Sequence, residues 1–422
     1  MPRAASHHPR RARLWGAGYF RRLGPGLVTG AADDDPSGIG TYSQVGASQG
    51  YRMLWTAPVL LPFAFAVQEA CARLALATGS GLAALIRQRL PRPVLYVAVA
   101  AVGVANSFNI AADLASMAAA LRLLVPLPQV VGLIAFAVGI TVVEVVVPYH
   151  RYARVLRWLC LSLLAYVGVL AVAHVSWAEV ARSTFIPSNS LGKAGFAALI
   201  ALAGTTISPY LFFWQAAEET EDEAGHAPDV SPDHVRAMRG DVAAGMASAV
   251  FIMFAIMATS AATLHAHGIT DVATAEQAAS ALEPLAGRFA GLLFLLGIVG
   301  TGLLAVPVLA GSTAYAVSDA LQWDESLERR PGQARAFYAV IVGSMVIALV
   351  IDGIGINPMS FLFLAAVLNG LIAPVLIVIV WWLARDKSLM GDLSSRRWSQ
   401  GILLATAAAM TALPVLWLVS RS

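Results

Sequence analysis

Apolar runs long enough to cross a bilayer recur along the whole chain, and this limits its possible folds more than any other feature. About 20 apolar residues span a hydrocarbon core of ~30 Å as a helix, so each such run predicts a transmembrane segment. Eleven stand between polar or Pro/Gly breaks: 24–49, 53–77, 94–122, 127–148, 154–174, 195–218, 240–264, 286–318, 337–352, 357–384 and 400–419. They are rich in Ala, Leu and Val and do not alternate apolar with polar, which argues against a transmembrane β-barrel. With 58% hydrophobic and 13% charged residues the chain lies outside the soluble globular class. The expected fold class is an all-α membrane protein of eleven transmembrane helices.

The distribution of basic residues predicts how these spans are oriented. With a cytoplasmic N-terminus, twenty-one of the 28 Lys and Arg fall in inside segments, among them Arg87, Arg89, Arg151, Arg154, Arg157, Arg236, Arg239, Arg385 and Lys387. Basic residues favour the cytoplasmic side, so the N-terminus is expected inside and, after an odd number of spans, the C-terminus outside. Residues 1–22 read as a basic cytoplasmic arm and 23–420 as the transmembrane domain. The arm lacks an apolar stretch with a small-residue cleavage site, so no signal peptide is expected. Cys71 and Cys160 lie in apolar runs and read as core residues, offering neither a disulfide framework nor metal-ligand spacing.

Two of the spans are interrupted. The first breaks in "TGAADDDPSG" (29–38), where three consecutive carboxylates precede Pro36, and the sixth in "AGTTISPYLFFWQ" (203–215) at Ser208-Pro209. Both interruptions hold the same place in successive sets of five spans. This predicts an inverted repeat with discontinuous helices 1 and 6: 24–174 as one half, 195–384 as the other and 400–419 as an added helix. Unwound backbone survives at membrane depth only where protein or an aqueous cavity covers it. Beside an acid and bare carbonyls, the expected occupant is a cation.

Each polar residue near the breaks has an ordinary reading as well. Asp35 suits the N-cap of the second half-helix with Pro36 at its first position, and this role is compatible with ion binding. Asp33 and Asp34 point to different sides of a helix, so they are expected to line a cation-attracting vestibule and not to ligate directly. Thr205, Thr206 and Ser208 offer hydroxyls and carbonyls, although such hydroxyls often bond back to the preceding turn. Asp113, in "FNIAADLASM", either relays ions or protons or is satisfied by a neighbouring helix. Asn369, in "AAVLNGLIAP", either lends an oxygen or makes a packing hydrogen bond between helices. "EETEDE" (218–223) reads as a solvated cytoplasmic mouth. Glu69 and Glu144 lie near span ends, where snorkelling is cheap, and carry no assigned role.

These residues resemble the Nramp divalent-metal transporters, which have the LeuT-type fold. "GPGLVTGAADDDPSG" followed by "TYSQVGASQGY" is similar to the family's first helix, "GTTISPYLFFWQ" to its sixth and "AADLASM" to part of its third. The resemblance implies that Asp35 is the metal-binding acid, Thr205 the carbonyl ligand and Asp113 the third-helix acid of the proton route. It places Gly38 where the family has a metal-binding Asn, Ser208 where it has a Met and Tyr210 where it has a His. Ser116 stands where a second acid is found. Losing a thioether and an amide favours hard ions over soft ones and leaves room for the several waters that Mg²⁺ tends to keep. The resemblance therefore implies the Nramp-related branch that carries Mg²⁺ without proton coupling.

The expected activity is import of a hard divalent cation, Mg²⁺ first and Mn²⁺ second, by alternating access across a prokaryotic-type inner membrane. The alternatives are a proton-coupled Mn²⁺/Fe²⁺ importer and a Na⁺-coupled symporter of an organic solute. An intramembrane enzyme is disfavoured, since neither H-E-x-x-H nor C-x-x-C occurs. The expected partners are the lipid bilayer and the transported ion, with no resident cofactor, nucleic acid or obligate protein partner.

Overall fold

The apolar runs become helices close to the expected bounds. The computed structural model describes residues 24–147, 161–187, 192–222, 230–323 and 332–420, and its elements there are all helical. The first run divides into α1 (Pro25–Asp33) and α2 (Pro36–Gln49). There follow α3 (Thr56–Thr78), α4 (Leu82–Arg89), α5 (Arg92–Leu121), α6 (Gln129–Val146), α7 (Leu164–Val172) and α8 (Trp177–Phe185). The sixth run divides into α9 (Lys193–Thr206) and α10 (Pro209–Asp222). The long helices of the remainder are α11 (Pro232–Thr263), α12 (Ala290–Leu321), α13 (Arg335–Asp352), α14 (Pro358–Ala384) and α15 (Arg397–Val419), with short helical turns in the connections.

Among the described residues, nine helical segments are long and apolar enough to cross a bilayer, with α9 and α10 together forming one of them. The broken pair α1/α2 stands at the place of the first expected span. The beginning of the fifth lies outside the described residues, and its described part, Leu161–Val172, meets α8 at a bend of 119°. The basic arm, Cys160 and the cluster Arg151, Arg154 and Arg157 also lie outside the described residues. The sequence reading missed the short helix α4, which buries Leu82, Leu85 and Ile86 while Arg89 reaches Asp386 at 3.5 Å.

Close helix crossings position the two breaks. α1 lies against α11 where a Cβ on Gly26 would meet the Val242 nitrogen at 2.6 Å and one on Gly30 the Gly245 carbonyl oxygen at 2.3 Å. Gly26 and Gly30 stand four apart on one face, the small-residue spacing that lets membrane helices approach backbone to backbone. Asp241 of α11 accepts from the Gly26 amide at 2.7 Å, satisfying one of the donors left free at the start of α1. α9 crosses α14 in the same manner, through Gly204 and Gly370.

Glu69 and Glu144 do not snorkel. Glu69 is buried and accepts from Arg73 at 3.0 Å and from Arg239 at 2.8 Å, joining α3 to α11. Arg73 also reaches Ser395 at 2.8 Å, which ties the connection before α15 to the same cluster. Glu144 is buried in α6, and neither of its oxygens has a hydrogen-bond partner among the described residues. Cys71 is a buried free thiol, as its apolar run predicts.

Candidate cation site

At the first break the backbone leaves the helix at Asp34 and re-enters at Pro36, with Asp35 extended between them (φ −67°, ψ 171°). Asp35 is the N-cap of α2. Its Oδ1 accepts from the Gly38 amide and from the Ser37 hydroxyl, both at 2.7 Å. The cap engages Oδ1, while Oδ2 faces the Tyr210 hydroxyl at 3.5 Å. The cap therefore uses one oxygen of the carboxylate and leaves the other turned towards α10.

At the second break Ile207 ends α9 and Pro209 opens α10. The Ser208 hydroxyl donates back to the Gly204 carbonyl at 3.0 Å and to the Thr205 carbonyl at 2.7 Å. Back-bonding, the ordinary role of a membrane-helix hydroxyl, thus applies to Ser208. It also partly covers the carbonyl expected to face an ion.

The breaks meet each other. The Ser37 and Thr205 hydroxyls stand 3.5 Å apart, as do those of Tyr42 and Thr206. Tyr210 donates to the Ala32 carbonyl at 2.9 Å, linking α10 to the end of α1, and Ser312 of α12 holds the Tyr210 carbonyl at 2.9 Å. Thr206 also donates to the Met253 sulfur at 3.3 Å, bringing a thioether from α11 one hydroxyl away from the site. Asp35, Gly38, Thr205, Thr206, Ser208 and Tyr210 are all buried, so this conformation is occluded.

Asp113 of α5 faces Asp35 and the Ser37 amide, yet neither of its oxygens has a hydrogen-bond partner among the described residues. Its carboxylate therefore lies close to both Asp35 and the start of α2. Ser116 turns its hydroxyl back to the Asp113 carbonyl at 2.8 Å. Asn369 pairs reciprocally with Asn109, at 2.9 and 3.2 Å, which is the packing role between α14 and α5.

Asp33 and Asp34, expected along a vestibule, are buried in this conformation, at 1% and 5% exposure. Both oxygens of Asp33 and Oδ1 of Asp34 lack a partner among the described residues. The three neighbouring acids do not converge into a cluster, and among the described residues no group of three acidic, His or Cys side chains forms a metal cage. Asp33, Asp34, Asp35 and Asp113 share one buried region, and none of them has an ion pair with a Lys or Arg among the described residues. An uncompensated buried charge is costly, so this arrangement suits a cation supplied from outside the chain.

Sequence reasoning missed three neighbours of the site. Ser37 and Tyr42 follow the break on α2, and Tyr42 lies four residues beyond Gly38 on the same helix face, a spacing that could have revealed it. Met253 lies on a separate span with no motif to mark it.

Comparison with known proteins adds the following. A family model described as "Nramp: Natural resistance-associated macrophage protein-like" matches residues 26–420. A divalent metal cation transporter, MntH, from Klebsiella pneumoniae is 28% identical over 405 residues, covering 95% of this chain and 94% of that protein. The crystal structure of a manganese transporter from Eremococcus coleocola superposes with a TM-score of 0.75 at 17% identity, over 95% of this chain and 87% of that one. Mhp1, a nucleobase-cation-symport-1 family transporter, has the same fold at a TM-score of 0.61 and 13% identity, over 94% of this chain and 92% of its own.

Proposed function

This chain belongs to the Nramp family, and from that premise we propose that it carries a hard divalent cation, Mg²⁺ first and Mn²⁺ second, into the cell. The coarser activity is that of its family: it is a multi-pass integral membrane protein that transports divalent metal ions, and its relatives are transporters, not enzymes. One observation carries the finer reading. Four carboxylates are buried around the breaks without an ion-pair partner among the described residues, and the side-chain donors at the meeting of the breaks are oxygens: Asp35, Ser37, Thr205 and Tyr210. Oxygen donors suit hard ions, and Mg²⁺ keeps part of its water shell when it binds.

In this reading the Asp35 Oδ2 anchors the charge while Oδ1 keeps α2 capped. Thr205 supplies an oxygen from the opposite break, and Gly38 adds no ligand atom. Asp33 and Asp34 set the field of the approach once the occluded site opens. Import is passive, down the electrochemical gradient across a bacterial inner membrane with the N-terminus inside. The engaged Ser116 hydroxyl and the phenol at Tyr210 support an uncoupled mechanism, because neither residue offers the second acid or the imidazole of a proton route.

A second reading, proton-coupled Mn²⁺/Fe²⁺ import, draws on Asp113, a carboxylate without a hydrogen-bond partner beside Asp35. Uptake into proteoliposomes with a pH dye inside separates the two. Mg²⁺ uptake without internal acidification is the expected result. Uptake of Fe²⁺ or Cd²⁺ but not Mg²⁺ overturns the selectivity, and acidification during uptake overturns the uncoupled mechanism.

A further inference from the structure

We propose that Tyr42 is a specificity-determining residue of this cation site, its phenol occupying the place that Gly38 leaves and its hydroxyl holding the ion's retained water. The proposal rests on the reading of a hydrated hard cation above, and it changes what Gly38 means. From the sequence, a glycine at that place implies an empty space for water. The structure fills that space: a Cβ on Gly38 would meet the Tyr42 ring at 3.2 and 3.4 Å and the Asp33 carbonyl oxygen at 3.3 Å. Contacts that short require the neighbour to give way, and this ring is fully buried.

The phenol is aimed across the site. Its hydroxyl stands 3.5 Å from the Thr206 hydroxyl, its nearest hydrogen-bond partner among the described residues, and Asp33, Asp34 and Asp35 all act on it electrostatically. A neutral hydroxyl in that position can accept from a metal-bound water while donating to a carboxylate or to Thr206. Such a contact rewards an ion that keeps its water and does nothing for one that sheds it. Gly38 and Tyr42, one turn apart on α2, therefore form a matched pair: the glycine admits the ring, and the ring presents the hydroxyl oxygen that accepts from the water.

The test is a set of variants in proteoliposomes, with monodispersity and melting temperature in detergent as folding controls. Tyr42→Phe keeps the ring and removes the hydroxyl. It should raise the KM for Mg²⁺ about tenfold with kcat little changed, and alter the KM for Mn²⁺ less. Gly38→Asn alone should lose uptake of every ion, because the new side chain meets Tyr42. Gly38→Asn with Tyr42→Ser should recover uptake and favour Mn²⁺ and Cd²⁺. A Tyr42→Phe protein with the wild-type Mg²⁺ to Mn²⁺ ratio overturns the proposal, as does a Gly38→Asn protein that transports normally without the second change. Failure of the underlying reading looks different: the wild type itself would then carry Mn²⁺ but no Mg²⁺, whatever the rescue by Tyr42→Ser showed.

Discussion

The two helix breaks face each other but are held in opposite ways. At the first, Asp35 has one oxygen engaged in a cap, and the acids around it, Asp33, Asp34 and Asp113, keep carboxylate oxygens without partners among the described residues. At the second, the hydroxyls are neutral and engaged: Ser208 on two carbonyls and Thr206 on the Met253 sulfur. One break therefore gathers carboxylate oxygens without hydrogen-bond partners among the described residues, and the other is a closed set of dipoles with a soft atom behind it. Under the proposed function the two have separate duties: the first holds the divalent cation, and the second biases which one.

The strongest way to break this division is Asp35→Asn. Asparagine caps a helix as well as aspartate does, so α2 keeps its start while the charge is removed. Uptake should fall about 100-fold, the loss expected when a charge-assisted contact worth ~3 kcal/mol disappears. Radiotracer uptake beside a melting curve checks this. A variant that melts as wild type and still transports would leave Asp35 as a cap only.

Asp113→Asn tests whether the first break extends to α5. Removing a buried carboxylate that has no hydrogen-bond partner should leave the melting temperature unchanged or raise it, while uptake falls about tenfold, in the range seen when groups supporting a metal site are lost. A lower melting temperature with uptake intact would mean that Asp113 is structural. If internal acidification accompanies wild-type uptake and vanishes in this variant, Asp113 is the proton carrier of the coupled reading.

The second break should respond in selectivity more than in rate. Ser208→Met removes the hydroxyl that covers the Thr205 carbonyl and brings in a thioether. Competition by Cd²⁺ against Mg²⁺ should strengthen about fivefold, close to the worth of one hydrogen bond. Equal discrimination in wild type and variant would show that Ser208 serves only to hold Thr205.

Much of this was legible from composition and spacing. Long apolar runs must become helices in lipid, and a Pro beside an acid within such a run marks a break, so the spans and both discontinuities follow from local chemistry. What escaped depends on how side chains are packed, both within one helix turn and between distant segments. Gly38 suggests empty space until Tyr42, one turn further on, is placed against it. Glu69 looks like a snorkelling acid until Arg239, 170 residues away, closes on it. Asp33 and Asp34 suggest an open vestibule, but exposure belongs to a conformation, and the occluded one buries them. Ser208 carries its back-bonding only as one of several options that the sequence leaves open.

Met253 is the case with no sequence signal, and it gives the smallest and most selective test. It lies 47 residues from Thr206, and that hydroxyl covers its sulfur. Thr206→Val preserves shape while removing the donor, so the thioether loses its only hydrogen bond among the described residues and stands free beside the second break. Because a sulfur–hydroxyl contact is weak, stability should change by about 0.5–1 kcal/mol at most. Mg²⁺ uptake should stay close to wild type, since in the proposed site its oxygens come from Asp35, Ser37 and Thr205. Cd²⁺ competition should rise about two- to threefold, because a soft ion gains a soft donor. Adding Met253→Leu should cancel that rise. If the double variant competes as strongly as Thr206→Val alone, the sulfur is outside the site's reach and selectivity rests on the oxygens of the two breaks.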